Sequence, residues 1–338
     1  MRAPSFWWRE AGLAATLLAP FAALYGAVAA RRMRERGRTV GIPVVCVGNL
    51  TLGGVGKTPV ALAVGRMLAD AGERPFFLTR GYGGGLAGPV RVEPGRHDAR
   101  DVGDEPLLLT RVAPTIVARD RVAGGEAARH AGGSVVVMDD GFQNPALAKD
   151  LALVVVDAAR HVGNAKVFPA GPLRAPLAAQ LARAHALIVI GEAGGTAAVT
   201  MAAPRDLPVF HGRLMPDAGV IATLAGRQVL AFAGIGDPDK FFATLDAAGI
   251  AAPVRRGFGD HHRYTGAEAA ALLCEADERR LLLLTTEKDA ARLAGDGAVQ
   301  ALAARAQTLP VTLMIDEEER FRRFLAERLS AARRGSGA

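Results

Sequence analysis

Thr51-Leu52-Gly53-Gly54-Val55-Gly56-Lys57-Thr58 follows directly on the apolar run Pro43 to Val47. That order of strand, glycine loop, lysine and hydroxyl is the build of a nucleotide phosphate cradle. The glycines let consecutive backbone N–H groups turn toward one anion. Lys57 brings charge to the β/γ-phosphates, and the Thr58 hydroxyl can ligate Mg²⁺ at the start of the next helix. ATP and Mg²⁺ are therefore the expected ligands. The usual motif has glycine where Thr51 stands, so the loop is expected to open with different backbone torsions.

Outward from this loop, apolar β-rich runs alternate with helical stretches. Strands are expected at Pro43 to Val47, Pro75 to Leu78, Pro114 to Ala118, Ser134 to Met138, Ala152 to Val156 and Ala186 to Ile190, with helices starting at Lys57, Glu105, Asp120 and Leu177. Such a pattern predicts an α/β fold, a P-loop NTPase-type core with a mostly parallel sheet and active residues at the carboxyl ends of its strands. The expected division is 1–38 as a membrane-associated helix with a basic flank, 39–206 as the core, 207–228 as a linker and 229–334 as a smaller α/β domain. Val311 to Ile315 is placed with that smaller domain.

The 338-residue chain is half hydrophobic, which excludes disorder for most of its length. Cys46 and Cys274 are its only cysteines and give neither a disulfide framework nor a metal-ligand spacing. The net charge of +7 is concentrated: Arg31, Arg32, Arg34, Arg36 and Arg38 crowd together against Glu35 alone, just after an uncharged run from Ala11 to Ala30. A helix of that length reaches about 30 Å, the hydrocarbon thickness of a bilayer. The arginine flank places the body on the cytoplasmic side of an inner membrane. Spanning the bilayer and lying in its plane are both open, since Pro20 and the preceding Phe6, Trp7 and Trp8 suit an interface. No basic and aromatic interleaving points to nucleic acid.

Ser134 to Met138 runs into Asp139-Asp140-Gly141, where a P-loop protein places its metal-side carboxylate, so Asp139 and Asp140 are both Mg²⁺ candidates. Asp104 and Glu105 form a second acidic pair, suited to a general base and a metal ligand, although an aspartate there can also cap a helix. His261 and His262 follow Asp260 without a third ligand at any familiar metal spacing. Arg80, Arg121 and Arg174 lie just beyond expected strands and suit bidentate phosphate or substrate contacts.

These motifs together resemble the tetraacyldisaccharide 4′-kinases, which phosphorylate a lipid A precursor. The resemblance runs through Gly48-Asn49-Leu50 into the phosphate loop, Arg80-Gly81-Tyr82-Gly83, Gly103-Asp104-Glu105-Pro106, Asp120-Arg121 and Asp139-Asp140-Gly141-Phe142-Gln143. It continues through Phe168-Pro169-Ala170-Gly171-Pro172-Leu173-Arg174, Ala233-Gly234-Ile235-Gly236, Asp260-His261-His262 and Thr286-Glu287-Lys288-Asp289. It implies transfer of the ATP γ-phosphoryl group to the 4′-hydroxyl of a tetraacyldisaccharide 1-phosphate lipid. It also implies that Asp104 is the base, assisted by His261, and that Arg121 and Arg174 contact acceptor or phosphate. Ala175 departs from the acidic residue that relatives often carry there. The alternative is a membrane-associated P-loop ATPase of the partition or switch type, but those usually place a second lysine where this chain has Leu52.

Overall fold

The computed structural model describes residues 4–191, 199 and 202–336; residues 192–198, inside the expected core domain, lie outside the described part. Strands β1 (Val44–Asn49), β2 (Pro75–Thr79), β3 (Val90–Arg91), β4 (Thr115–Val117), β5 (Val135–Asp139), β6 (Leu151–Asp157), β7 (Ala186–Ile190) and β8 (Val209–Pro216) are followed by β9 (Gln228–Ala233), β10 (Ala251–Gly257), β11 (Leu282–Thr286), β12 (Gln307–Leu309) and β13 (Val311–Ile315). They form a nine-stranded sheet of order β13-β8-β7-β6-β1-β5-β2-β4-β3 and a four-stranded sheet of order β10-β9-β11-β12. Only the edge pairs β3–β4 and β8–β13 are antiparallel.

Every residue of β1, β5, β6 and β7 is buried, because both faces of the large sheet are covered. On one face Val45 and Val47 pack with Val60 and Val64 of helix α2 (Lys57–Asp70). On the other, Cys46 joins Met33, Phe142 and Leu173. β1 lies between β5 and β6, and the chain winds outward on both sides of it. That reversal of strand order opens a crevice at the carboxyl end of β1, where the phosphate loop begins. The β1–β5 register pairs Val47 with Asp139 and so brings the carboxylate beside the loop.

Two segments fall differently from the sequence expectation. Val209–Pro216, inside the expected linker, is strand β8 of the large sheet, and Val311–Ile315, expected in the small domain, pairs antiparallel with it. The terminal helix Glu318–Ser336 then sets Phe321, Leu325 and Leu329, at four-residue spacing, against the face that carries α2. The chain thus leaves the large unit after β8, builds the four-stranded unit, and returns to close the large sheet. Alternation of strand and helix is the same in both units, so the sequence pattern carries no mark of the return.

At the start of the chain, a 3₁₀ turn Ser5–Trp8 precedes helix α1 (Leu13–Arg34). Trp7 is buried, with its Nε1 donating to Pro169 O at 3.1 Å. Ala15, Ala22, Gly26 and Met33 form the buried side of α1, and Gly26 faces Pro176 and Val167. Leu13, Leu17, Phe21, Leu24 and Val28 form its other side and are all more than half exposed. By length and composition α1 is able to cross a membrane.

Candidate active site

The phosphate loop is pinned at its opening by the segment after β6. Leu52 N donates to Pro172 O at 2.8 Å, and Thr51 O accepts from Arg174 Nε at 3.0 Å and from Asn49 Nδ2 at 2.6 Å. Thr51 thereby holds its place without being glycine. The loop ends at Gly56, in the left-handed region at φ 87°, where a Cβ would come within 2.9 Å of Ile190 Cδ1. In the first turn of α2 Pro59 has no N–H and Val60 N donates to Gly56 O, which leaves the N–H groups of Lys57 and Thr58 to extend the cradle.

Around this loop the two acidic pairs divide into distinct roles. Asp140, itself left-handed at φ 55°, accepts a two-pronged hydrogen bond from Arg174 at 2.9 and 3.2 Å and lies 3.6 Å from Lys57 Nζ. Burial alone would raise its pKa, but Lys57 and Arg174 pull it down to about 2. Asp139 is fully buried beside Thr58, whose hydroxyl lies 3.4 Å from Asp139 Oδ2 and 3.5 Å from Glu105 Oε1. Asp139 Oδ1 has no hydrogen-bond partner. Burial, reinforced by the Glu105 charge, pushes the Asp139 pKa up to about 7.

A buried carboxylate held near a second carboxylate and a hydroxyl, with one oxygen unsatisfied, is a donor set short of a cation. It fits Mg²⁺, which typically takes one or two carboxylates and completes its shell with water and substrate phosphates. Among the described residues there is no cluster of three His, Cys, Asp or Glu that would cage a metal.

Helix α3 (Ala99–Val102) is closed at its start by a capping box from Asp98 and Asp101, and Gly103 (φ 89°) turns the chain into helix α4 (Asp104–Leu109). Asp104 is therefore the first residue of α4 and caps nothing; its side chain is free for other partners. Those partners come from the four-stranded unit. His261 Nδ1 lies 3.2 Å from Asp104 Oδ1, and Arg292 Nε donates to Oδ2 at 2.8 Å. Although burial opposes ionisation, His261, Arg292 and Lys288 hold the Asp104 carboxyl well below the usual carboxylate range. Burial would lower the His261 pKa, but Asp104 raises it above the ordinary imidazole value. Lys288 Nζ donates to Glu105 Oε1 at 2.6 Å.

A cleft of about 1110 Å³ joins these groups. Its walls include the loop, Glu105, Asp139, Asp140, His261 and Lys288. It is also lined by Tyr25, Ala29 and Arg32 of α1 and by Phe241 and Thr244 of the four-stranded unit. Asp104 stands behind this wall, facing an adjoining cavity of about 420 Å³, and His261 and Tyr82 border both spaces. The Tyr82 ring lies against the His261 imidazole, centroids 4.8 Å apart. His261 is left-handed at φ 53°, a backbone state that a non-glycine residue holds only when its surroundings fix it.

Of the arginines expected at phosphate, Arg80 and Arg121 reach the cleft, and Arg121 is buried with Nη1 donating to Ala118 O. Arg174 also borders it, but its guanidinium is already engaged by Asp140 and Thr51. His262 turns away, stacked on Phe258 and 3.1 Å from Glu268. Ala175 is fully buried, and its carbonyl accepts from Gln180 Nε2 at 2.7 Å. Lys288, Arg292 and Lys240 are site residues that sequence reasoning passed over. Lys240, on the cleft wall and ion-paired with Asp157, has its pKa lowered by burial to about 8. Only Lys288 had a signal, since it lies within Thr286-Glu287-Lys288-Asp289.

The four-stranded unit is seated tightly on the loop. Gly236 comes so close that a Cβ there would lie 3.1 Å from Gly54 N, which explains glycine at that position. Arg111–Glu287 at 2.7 Å and Arg160–Asp237 at 2.7 Å add ion pairs across the junction.

A profile described as tetraacyldisaccharide-1-P 4′-kinase matches residues 14–330. The chain is 53% identical over 334 residues to the tetraacyldisaccharide 4′-kinase of Rhodopseudomonas palustris (strain BisB5), covering 98% of both chains. It is 57% identical over 312 residues to that of Methylobacterium sp. (strain 4-46), covering 92% of this chain and 94% of the other. The fold is similar to the crystal structure of LpxK from Aquifex aeolicus in complex with ATP, with a TM-score of 0.71 and 26% identity over 93% of this chain and 99% of that one.

Proposed function

The chain belongs to the tetraacyldisaccharide 4′-kinase family, and from that premise we propose how its residues carry the reaction. It is an ATP-dependent kinase that phosphorylates the 4′-hydroxyl of a tetraacyldisaccharide 1-phosphate, a lipid A precursor. One observation supports the arrangement above all others: the phosphate cradle and the apolar helix α1 border the same cleft. A lipid-borne sugar enters beside α1, past Arg121, while the nucleotide triphosphate lies on the loop under the four-stranded unit.

Gly53 to Thr58 bind the phosphates through backbone N–H groups, and Lys57 neutralises charge on the β/γ-phosphates. Thr58, Asp139 and Glu105 would hold Mg²⁺, with Asp140 serving to fix Lys57 and the loop. Bound there, the ion would supply positive charge against the phosphates. Asp104 and His261 act as one proton-accepting pair: His261 is its member at the cleft wall, and the Asp104 carboxylate carries the balancing negative charge. A sugar hydroxyl is scarcely ionised near neutrality, so a base within hydrogen-bond reach is needed as the new P–O bond forms. Arg80 and Arg121 supply positive charge where the acceptor approaches.

The deciding experiment incubates purified protein with γ-labelled ATP and the disaccharide lipid. Label in the lipid is the expected result, and release of inorganic phosphate at the same rate with or without lipid would favour the switch-type ATPase instead.

The exposed stripe Leu13, Leu17, Phe21, Leu24 and Val28 is the membrane face, with Arg31, Arg32 and Arg34 meeting anionic headgroups on the cytoplasmic side of the inner membrane. Because the opposite side of α1 is packed on the body, the helix lies along the bilayer surface and brings the cleft to the lipid. Each large apolar side chain of the stripe contributes about 1.5–3 kcal/mol on leaving water. Leu17→Glu with Phe21→Glu and Leu24→Glu is therefore expected to cut cosedimentation with anionic vesicles at least tenfold while leaving thermal stability intact. Unchanged cosedimentation would move the anchor elsewhere.

A further inference from the structure

We infer that Arg292 is the positioning residue that aims the proton-accepting pair: it fixes Oδ2 of Asp104 so that Oδ1 meets His261, and it does so only while the four-stranded unit is seated on the large one. The inference rests on the reading of Asp104 and His261 as that pair. It goes beyond it by naming the device that sets their geometry.

The guanidinium of Arg292 is buried and held at both ends. Nε donates to Asp104 Oδ2 at 2.8 Å, while Nη1 donates to Gly234 O and to Asp289 Oδ1, each at 2.8 Å. A guanidinium is a rigid planar fork, so fixing Nη1 also fixes the direction of Nε. Asp289 is itself fully buried and immobilised: it accepts from Gly234 N at 3.0 Å, Tyr264 OH at 2.8 Å and Thr286 Oγ1 at 2.6 Å. A continuous chain of hydrogen bonds thus runs from the core of the four-stranded unit to the carboxylate on the first residue of α4. Through it, both oxygens of Asp104 are assigned by residues of the other unit, Arg292 on one side and His261 on the other.

The contact is more than a clasp between units. Lys288–Glu105, Arg111–Glu287 and Arg160–Asp237 join the same two bodies without touching Asp104. Docking therefore survives the loss of Arg292, and what is lost is the orientation of the carboxylate. Misplacing a reacting group by about 1 Å costs about 10²-fold in rate.

The test compares Arg292→Gln, Arg292→Lys and the docking control Arg111→Gln in single-turnover transfer to the disaccharide lipid, with KM for ATP and melting temperature measured alongside. Arg292→Gln is expected to lower the rate about 10²-fold with KM for ATP within about threefold, the loss expected of a misplaced group. Arg292→Lys, which keeps a cation able to reach Oδ2, recovers about tenfold of that loss, and Arg111→Gln matches the parent protein. In an Asp104→Ala background, Arg292→Gln costs nothing further if it acts through Asp104. An unchanged rate for Arg292→Gln overturns the inference, as does an equal loss in the Asp104→Ala background. Should Arg292→Gln not fold, the Lys variant decides: parent-like kcat and KM for ATP contradict a two-ended fork, and a selective fall in kcat upholds it. Full activity of Asp104→Ala alone would remove the underlying reading, and is seen separately from the Arg292 arms.

Discussion

Lys57→Ala is expected to abolish measurable phosphoryl transfer, a loss of at least about 10³-fold at saturating ATP, the upper range for removing a single preorganised charge contact to the reacting group. Lys57 is the first residue of α2, so its ammonium projects from the turn that also presents the backbone N–H groups. It lies 3.6 Å from Asp140 and offsets charge on both members of that acidic pair. No other ammonium is built into the loop itself. Lys288 is delivered from the opposite unit and is occupied by Glu105. Lys57→Arg is expected to rescue poorly, because a planar fork cannot take the place of a compact ammonium in a cradle shaped by Gly56 and Ile190. Rapid-quench measurement with pre-bound ATP checks this. Transfer within tenfold of the parent rate would contradict the assignment of the loop.

How much of this was legible beforehand depends on the range of the contacts. The phosphate loop is local: glycines, lysine and hydroxyl fall within eight consecutive residues, so composition and spacing declare the site. The parallel strands were legible for a similar reason, since burial on both faces writes each as a short apolar run. The return of β13 to the large sheet was not. Val311 to Ile315 is an ordinary amphipathic strand, and only its antiparallel pairing with β8 tells which sheet it joins. Sequential neighbourhood argued for the smaller unit, and a long-range pairing overrode it.

The site shows the same division. Asp139 next to the loop follows from strand order, and its separation in role from Asp140 follows from one left-handed residue that swings Asp140 toward Lys57 and Arg174. Neither carboxylate of the pair differs from the other in the text of the sequence. Arg292 is more extreme: it lies 188 positions from Asp104, in the short helix Glu287–Leu293, where nothing in the sequence sets it apart from the other basic residue, Lys288. A buried ion pair of that separation is specified by the docking of two units, and no periodicity encodes it. The resemblance to a family supplied Asp104 and His261 by motif, yet gave no reason why their side chains should meet. The structure supplies that reason through the seating of one unit on the other.

Asp104→Ala is expected to lower the single-turnover rate by at least about 10²-fold, the scale of general acid–base assistance, while ATP binding stays close to that of the parent. The two readouts separate because Asp104 lines the smaller cavity, whose described lining has only His261 and Tyr82 in common with the nucleotide cleft. His261→Ala should cost a similar factor, and the double variant little more than either alone, since residues acting as one unit are non-additive. Stability needs a separate check: removing the carboxylate leaves Arg292 buried without one of its two anionic partners, a loss that can cost about 3–5 kcal/mol. Asp104→Asn keeps the volume and an oxygen able to accept from Arg292, so it holds the fold while removing the charge. The expected outcome is a melting temperature near the parent value with the rate still depressed about 10²-fold. Additive losses for Asp104 and His261 would show two independent roles, and a parent-like rate for Asp104→Asn would take the carboxylate out of proton transfer altogether.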